Sequence, residues 1–258
     1  DLMRLQGNTI LITGGSAGIG LALAKEFVAL GNRVIVTGRS AEKLEAARAE
    51  VPEVETIQGD VADPDAVRAL AARVESDYPD LNVLINNAGV FIARNHTGPS
   101  KDLVGLTSEI DINLSGPIRI ISVLIDRLKA NHGTIINVSS GLAFVPLQSS
   151  PIYCATKAAM HSYTIALRQQ LKQSGVEVIE LMPPAVKTAL TADLPEDGDF
   201  KIMTTEELMA ETFKGLRSEK VEIRPGQANQ LHWMSRIAPG FINAQLEKGS
   251  AGLIPPPE

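Results

Sequence analysis

Along this chain, short runs of consecutive apolar residues alternate with longer stretches in which apolar residues return every three or four positions. Thr9-Ile10-Leu11-Ile12 is the first run. It is brief, β-branched and closed by Gly14-Gly15, which predicts a buried strand entering a tight turn. Ile19, Leu23, Phe27 and Leu30 then repeat at helical spacing until Gly31 stops them. The alternation continues, predicting strands over Arg33–Thr37, Val54–Gln58, Asn82–Asn86, Thr134–Val138, Val176–Leu181 and Val221–Arg224. Helices are predicted over Ala41–Glu50, Pro64–Ser76, Leu103–Ala130, Ile152–Gln173 and Thr205–Arg217, with a short one after the last strand.

Strands that are apolar along their whole length are buried on both faces, as in a parallel sheet covered by helices on either side. Right-handed crossovers make this a doubly wound α/β sheet of the Rossmann type, with its ligand crevice at the C-terminal ends of the strands. Nothing divides residues 1–247, which read as a single domain. The polar stretch Thr188–Met203 carries Pro195 and Gly198 and reads as a mobile loop. The tail from Lys248 (residues 248–258), ending Pro255-Pro256-Pro257, reads as poorly ordered.

Composition narrows the function classes. A chain of 258 residues with 44% hydrophobic and 21% charged residues is an ordinary soluble α/β domain. A net charge of −6 leaves no basic face for a phosphate backbone, so no nucleic-acid partner is expected. The one cysteine, Cys154, forms no intrachain disulfide and fits a reducing compartment. It reads as a buried filler, the sharper alternative being a thiol whose alkylation blocks the crevice. His96, His132, His161 and His232 stand apart, without zinc spacing, so no metal is expected. No apolar run is long enough for a bilayer and no segment has the basic start of a signal peptide. The expectation is a cytoplasmic protein without a membrane partner.

The candidate chemistry begins at Thr13-Gly14-Gly15-Ser16-Ala17-Gly18-Ile19-Gly20, between the first strand and the first helix. Glycines permit a sharp turn and close backbone approach, while the helix N-terminus offers free N–H groups to a pyrophosphate. NAD binders place an acid at the end of the second strand to bond the ribose hydroxyls. Here that position reads Thr37-Gly38-Arg39-Ser40. The planar fork of Arg39 suits a 2′-phosphate instead, which predicts NADP (NADPH) rather than NAD.

Tyr153 and Lys157 are four residues apart and share one helix face. A phenol titrates near 10, and a neighbouring ammonium favours its ionised form. Ser140 lies just past the Thr134–Val138 strand, where its hydroxyl can bond a substrate oxygen beside the tyrosine. Asn113, on the preceding helix, can support a water chain to Lys157. A Tyr-x-x-x-Lys pair by itself is commonly a half-buried tyrosine beside a snorkelling lysine. The serine and the glycine loop give it another meaning.

These motifs, with Asp60-Val61 and Asn86-Asn87-Ala88-Gly89 between them, resemble the short-chain dehydrogenases/reductases in their compact single-domain form. The resemblance implies a catalytic tetrad of Asn113, Ser140, Tyr153 and Lys157. It implies that Asp60 and Val61 flank the adenine and that Asn87, Ala88 and Gly89 line the cofactor and brace the central strands. It also implies a homodimer or homotetramer joined through the helices near Leu103–Ala130 and Ile152–Gln173. Such proteins usually carry Pro-Gly after the sixth strand, where this chain has Pro183-Pro184-Ala185-Val186-Lys187-Thr188. Pro183, Val186 and Thr188 are carried over as cofactor contacts, with the local contacts altered by the second proline.

Near the reacting ring the resemblance places largely apolar residues: Val90, Phe91, Gly141, Leu142, Phe144, Ile152 and Met182. No arginine or lysine stands there to clamp a carboxylate, and Arg94 and His96 read as surface residues. The expected activity is hydride transfer between NADP(H) and an apolar ketone, aldehyde or secondary alcohol, with Tyr153 as acid/base. An NAD(P)-dependent epimerase or dehydratase is a second enzymatic reading. An NADP(H)-sensing regulatory protein without turnover is the reading from another class. Beyond Thr188 the motifs thin, and Glu222–Gln227 with Trp233-Met234 read as a segment that closes the pocket or joins subunits.

Overall fold

The computed structural model describes residues 3–192 and 202–256. Its elements run in the order β1 (Thr9–Thr13), α1 (Gly18–Ala29), β2 (Arg33–Gly38), α2 (Ala41–Glu50), β3 (Glu55–Gln58), α3 (Pro64–Asp77) and β4 (Leu81–Asn86). There follow α4 (Leu103–Leu106), α5 (Ser108–Ile110), α6 (Gly116–Ala130), β5 (Thr134–Val138), α7 (Pro151–Leu171) and β6 (Glu177–Leu181). The C-terminal part holds α8 (Thr205–Arg217), β7 (Glu222–Ile223), α9 (Gln227–Ile237) and α10 (Pro239–Ser250).

The strands form a seven-stranded sheet in the order β3-β2-β1-β4-β5-β6-β7. Every pairing is parallel. Alternation along each strand divides the core into two layers, because successive side chains point to opposite faces. Ile10 and Ile12 of β1 pack with α1, α2 and α8. Leu11, between them, packs with α3, α6 and α7. Phe27 of α1 is fully buried, with its ring centre 4.9 Å from that of Phe213 on α8. Phe27→Ala is expected to lower unfolding free energy by about 3–5 kcal/mol, measured as a drop in the urea midpoint at unchanged m-value.

The sheet order reverses at β1, so the loops leaving β1 and β4 diverge and open a crevice between them. A third, smaller cluster joins Val145, Leu147, Tyr153 and Cys154 to Ile242 and Leu246 of α10. It fixes the C-terminal helices against the start of α7. Among the described residues, no helix is long and apolar enough to cross a membrane.

Several expectations need correction. The single helix over Leu103–Ala130 is broken into α4, α5, a π-helical turn at Asp111–Ser115 and α6. Pro117 has no N–H to offer the carbonyl four residues back, which interrupts the ladder there. In place of one short C-terminal helix there are two, separated where Ala238, before Pro239, leaves the helical conformation (φ −140°, ψ 61°).

The tail is also more ordered than its prolines predict. Helix α10 continues to Ser250, a 3₁₀ turn covers Ala251–Leu253, and Asn95 Nδ2 donates to the Pro255 carbonyl at 2.8 Å. Within the expected mobile loop, Ala189–Thr191 form a 3₁₀ turn and Val186 pairs with Met203. Residues 193–201, with Pro195 and Gly198, lie outside the described residues, as do 257–258.

Candidate active site

A cavity of about 690 Å³ lies across the C-terminal ends of β1, β2, β4, β5 and β6. Of the residues expected to bind cofactor, Gly14, Ser16, Ala17, Gly18, Ile19, Arg39, Asp60, Val61, Asn87, Ala88, Gly89, Tyr153, Lys157, Pro183, Val186 and Thr188 line it. Gly20 and Asn113 stand behind the wall.

The glycine loop is shaped by what a side chain would strike. Gly14 has a φ of +64°, and a Cβ there would lie 2.8 Å from the Ala88 Cα. At Gly20 a Cβ would lie 2.4 Å from the Gly14 carbonyl oxygen. The Asn87 side chain donates to the carbonyls of Thr13 and Gly14, each at 3.1 Å. In return the Thr13 hydroxyl accepts from the Asn87 and Ala88 N–H groups, each at 3.1 Å. The ends of β1 and β4 are thus laced together beneath the cavity floor. Gly20→Ala forces this lattice to shift and is expected to cost about 1–3 kcal/mol, measured by urea unfolding.

At the β2 end, Arg39 is exposed and makes no ion pair with any described residue. Lys43, in the first turn of α2, faces the same end of the cavity, with Ser16 and Ser40 beside it. Sequence reading singled out Arg39 and passed over Lys43. The available signal was spacing: four residues on, Lys43 lies one turn away once α2 forms. Asp60 lines the cavity while its carboxylate accepts from the Ala62 N–H at 2.9 Å, ordering the turn after β3.

Tyr153, Ser140 and Lys157 meet midway along the cavity. Ser140 lies two residues past the end of β5 in an extended conformation, and its hydroxyl accepts from the Leu142 N–H at 3.1 Å. Phe91 packs edge-on against the Tyr153 ring, centroids 4.9 Å apart. Burial holds the Tyr153 phenol well above its ordinary value, with the Ser140 side chain acting in the opposite sense. The lowering expected from the Lys157 ammonium is not seen, and burial sets the direction. The Lys157 Nζ lies 5.5 Å from the Tyr153 ring centre and donates to the Val138 carbonyl at 2.9 Å. Burial pulls this ammonium down to about 8.

Asn113 clamps the chain leaving β4. Its Oδ1 accepts from the Val90 N–H at 2.8 Å, and its Nδ2 donates to the Val90 carbonyl at 2.9 Å and the Thr156 hydroxyl at 3.2 Å. It approaches Lys157 only across Gly89, where a Cβ would lie 3.3 Å from Asn113 Oδ1 and 3.7 Å from Lys157 Nζ.

The far end of the cavity differs in detail from expectation. Val90, Phe91, Gly141 and Leu142 line it, whereas Phe144, Ile152 and Met182 do not. Met182 is fully buried behind β6, and Phe144 packs edge-on between His161 and His232. Leu147, Leu190, Leu231, Leu246 and Leu253 take their place, and Gln227 adds one neutral polar group. Three of these leucines come from α9, α10 and the final turn, a segment without a motif that periodicity alone could assign.

The second proline of Pro183-Pro184 leaves the cavity wall intact: Pro183 accepts from the Gly141 N–H at 2.9 Å, and Pro184 lines the cavity. Thr188 stands over the glycine loop, 3.4 Å from where a Gly18 Cβ would lie. Arg94 is half-buried rather than a surface residue, its Nη2 donating to the Gly105 carbonyl at 2.7 Å, while His96 is exposed. Cys154 is buried, its Sγ accepting from the Leu147 N–H at 3.2 Å, and burial pushes its thiol up to about 11. It lies outside the cavity lining and fills the third cluster.

Comparison with known proteins agrees with this layout. A family model described as short chain dehydrogenase matches residues 8–199. The uncharacterized oxidoreductase DltE of Bacillus subtilis (strain 168) is 42% identical over 224 residues, 86% of this chain and 89% of that protein. A serine 3-dehydrogenase of Agrobacterium fabrum (strain C58) is 35% identical over 71% of this chain and 74% of its own length. A solved short chain dehydrogenase from Burkholderia cenocepacia, in complex with NADP, matches with a TM-score of 0.82 at 26% identity, covering 95% of this chain and 99% of that one. The chain therefore belongs to the short-chain dehydrogenase family of oxidoreductases.

Proposed function

We propose that this protein is an NADP-dependent oxidoreductase acting on apolar ketones, aldehydes or secondary alcohols, with Tyr153 as its acid/base. The observation that carries the reading is one continuous cavity. A cationic, glycine-floored end leads past Tyr153, Ser140 and Lys157 into an apolar end. Among the described lining residues, the apolar end offers no arginine or lysine to a carboxylate.

The residues fit the cofactor. The glycine loop leaves room that a Cβ at Gly20 would take away, and Arg39 and Lys43 provide two cations for a 2′-phosphate. Bound there, the nicotinamide cofactor supplies or accepts the hydride. In reduction, Tyr153 donates its phenolic proton to the carbonyl oxygen and Ser140 orients that oxygen. Lys157 holds the ribose hydroxyls and compensates the charge left on Tyr153. The reverse sequence oxidises an alcohol.

A hydroxy amino acid, named as substrate of the Agrobacterium relative, is a weaker fit, because leucines occupy the place where its carboxylate would need a cation. A cofactor sensor without turnover has no need for the tyrosine, serine and lysine to meet. Mixing the protein with NADPH and a panel of apolar carbonyls, or with NADP and serine, tests the reading through the cofactor absorbance. Oxidation with the apolar members is expected. Binding without oxidation across the panel would favour the sensor.

Cytoplasmic residence and a homodimer or homotetramer belong to the same proposal. Leu103, Val104, Val123 and Ile165 expose apolar surface on α4, α6 and α7, the helices through which assembly is expected. Light scattering in solution measures it.

A further inference from the structure

Beneath the cavity floor, one face of α7 lies on β5 and β6 through polar side chains spaced one turn apart. Lys157 donates to the Val138 carbonyl at 2.9 Å. One turn on, the His161 Nδ1 is 2.9 Å from an oxygen of Glu180 on β6. Next, the Thr164 hydroxyl accepts from Asn137, the residue paired with Glu180 across the sheet, at 3.0 Å. The Glu180 side chain is fully buried, and its other oxygen accepts from the Ser139 hydroxyl at 2.5 Å. Ser139 directly precedes Ser140. A buried carboxylate thus stands beside both the strand end that presents Ser140 and the helix turn that presents Lys157, and the reaction as derived above does not use it.

A buried charge is costly unless something specific holds it, and here two hydrogen bonds do. The other charged groups nearby are engaged elsewhere. Arg168 of α7 lies 3.8 Å from Glu222 of β7, Arg224 pairs with Glu222, and Arg236 bonds His232 of α9. None of them is bonded to Glu180. We infer that Glu180 is a positioning residue for the reaction proposed above: its carboxylate, seated by Ser139 and His161, is the buried counter-charge set between the Ser140 strand end and the Lys157 helix turn.

Two electrostatic effects agree with that geometry. Burial lowers the Lys157 ammonium, and the Glu180 charge is what opposes the lowering. His161 is raised, chiefly by its bond to Glu180, as a partner of a carboxylate should be. The sign of the pH effect follows. A lysine whose titration is depressed loses its charge as pH rises through its midpoint, so removing the anion moves that loss to lower pH.

The test uses Glu180→Gln, which keeps the shape and removes the charge. Lysine ε-carbon NMR titration, with the Lys157 signal assigned by its absence in Lys157→Arg, needs no turnover. A failure of the proposed activity therefore leaves this measurement standing. The Lys157 midpoint is expected about one pH unit below wild type. The alkaline limb of kcat should move to acid by the same amount with the carbonyl KM unchanged, and Glu180→Asp should restore both.

If Glu180→Gln does not fold, Glu180→Met with His161→Leu removes the same charge while replacing the pair by apolar side chains, a change that buried pairs often tolerate. A Lys157 midpoint unchanged from wild type would overturn the inference. So would an NMR shift with no movement of the kcat limb in an active enzyme.

Discussion

Tyr153→Phe is expected to lower kcat by roughly 10²–10⁴-fold while leaving NADPH affinity within about threefold of wild type. The substitution removes one oxygen from a ring whose packing is already set by Phe91 and the third hydrophobic cluster, so the cavity keeps its form. What is lost is the phenolic proton that the proposed reduction transfers. The proposed cofactor contacts lie mostly on the glycine loop, Arg39 and the β4 end, away from that oxygen. Stopped reduction with intact cofactor binding, followed by NADPH fluorescence, is the expected pattern. A variant turning over at the wild-type rate would remove Tyr153 as the acid.

Arg39→Asp is expected to raise the NADP KM roughly hundredfold and to change the NAD KM little, which inverts the cofactor preference. A charge-assisted bond to a phosphate contributes about 1.5–3 kcal/mol, and an acid in its place adds repulsion. About 1.4 kcal/mol is a factor of ten. Arg39 is exposed and unpaired with the described residues, so its removal disturbs no ion pair among them, and the effect is confined to the ligand. Lys43→Ala should act in the same direction but more weakly, since Lys43 presents one point charge rather than a fork. A variant at Arg39 that still prefers NADP would place the 2′-phosphate elsewhere.

The alternation of strands and helices, and hence the doubly wound sheet, is legible in the apolar pattern, because each strand is buried on both faces and each helix on one. The positions of β1, β2, α2, β5 and α8 are legible to within a residue or so. The failures share a cause. Leu103–Ala130 reads as one helix by periodicity, yet Asn113 is drawn to the peptide of Val90, a contact from a distant part of the chain, and Pro117 breaks the ladder beside it. The tail from Lys248, ending in prolines, reads as poorly ordered, yet Leu253 lines the cavity and the Pro255 carbonyl accepts from Asn95. Contacts from far along the chain overrode local composition at both places.

The candidate site divides in the same way. The glycine loop, Arg39, Ser140, Tyr153 and Lys157 are visible in the sequence because each depends on residue type and short spacing, rules that act within a strand end or a helix turn. Lys43, the leucines of the apolar end and the Glu180–His161 pair depend on which strand ends lie side by side and which face of α7 is pressed onto them. Local backbone preference and hydrophobic period are properties of neighbours in the chain, and they determined the layers and the residue types of the Tyr153–Lys157 turn. Burial, charge and pocket shape are properties of neighbours in space. Only the folded chain decided that a phenol is raised and an ammonium lowered from their ordinary ranges, and that a terminal segment forms the wall of the cavity's apolar end.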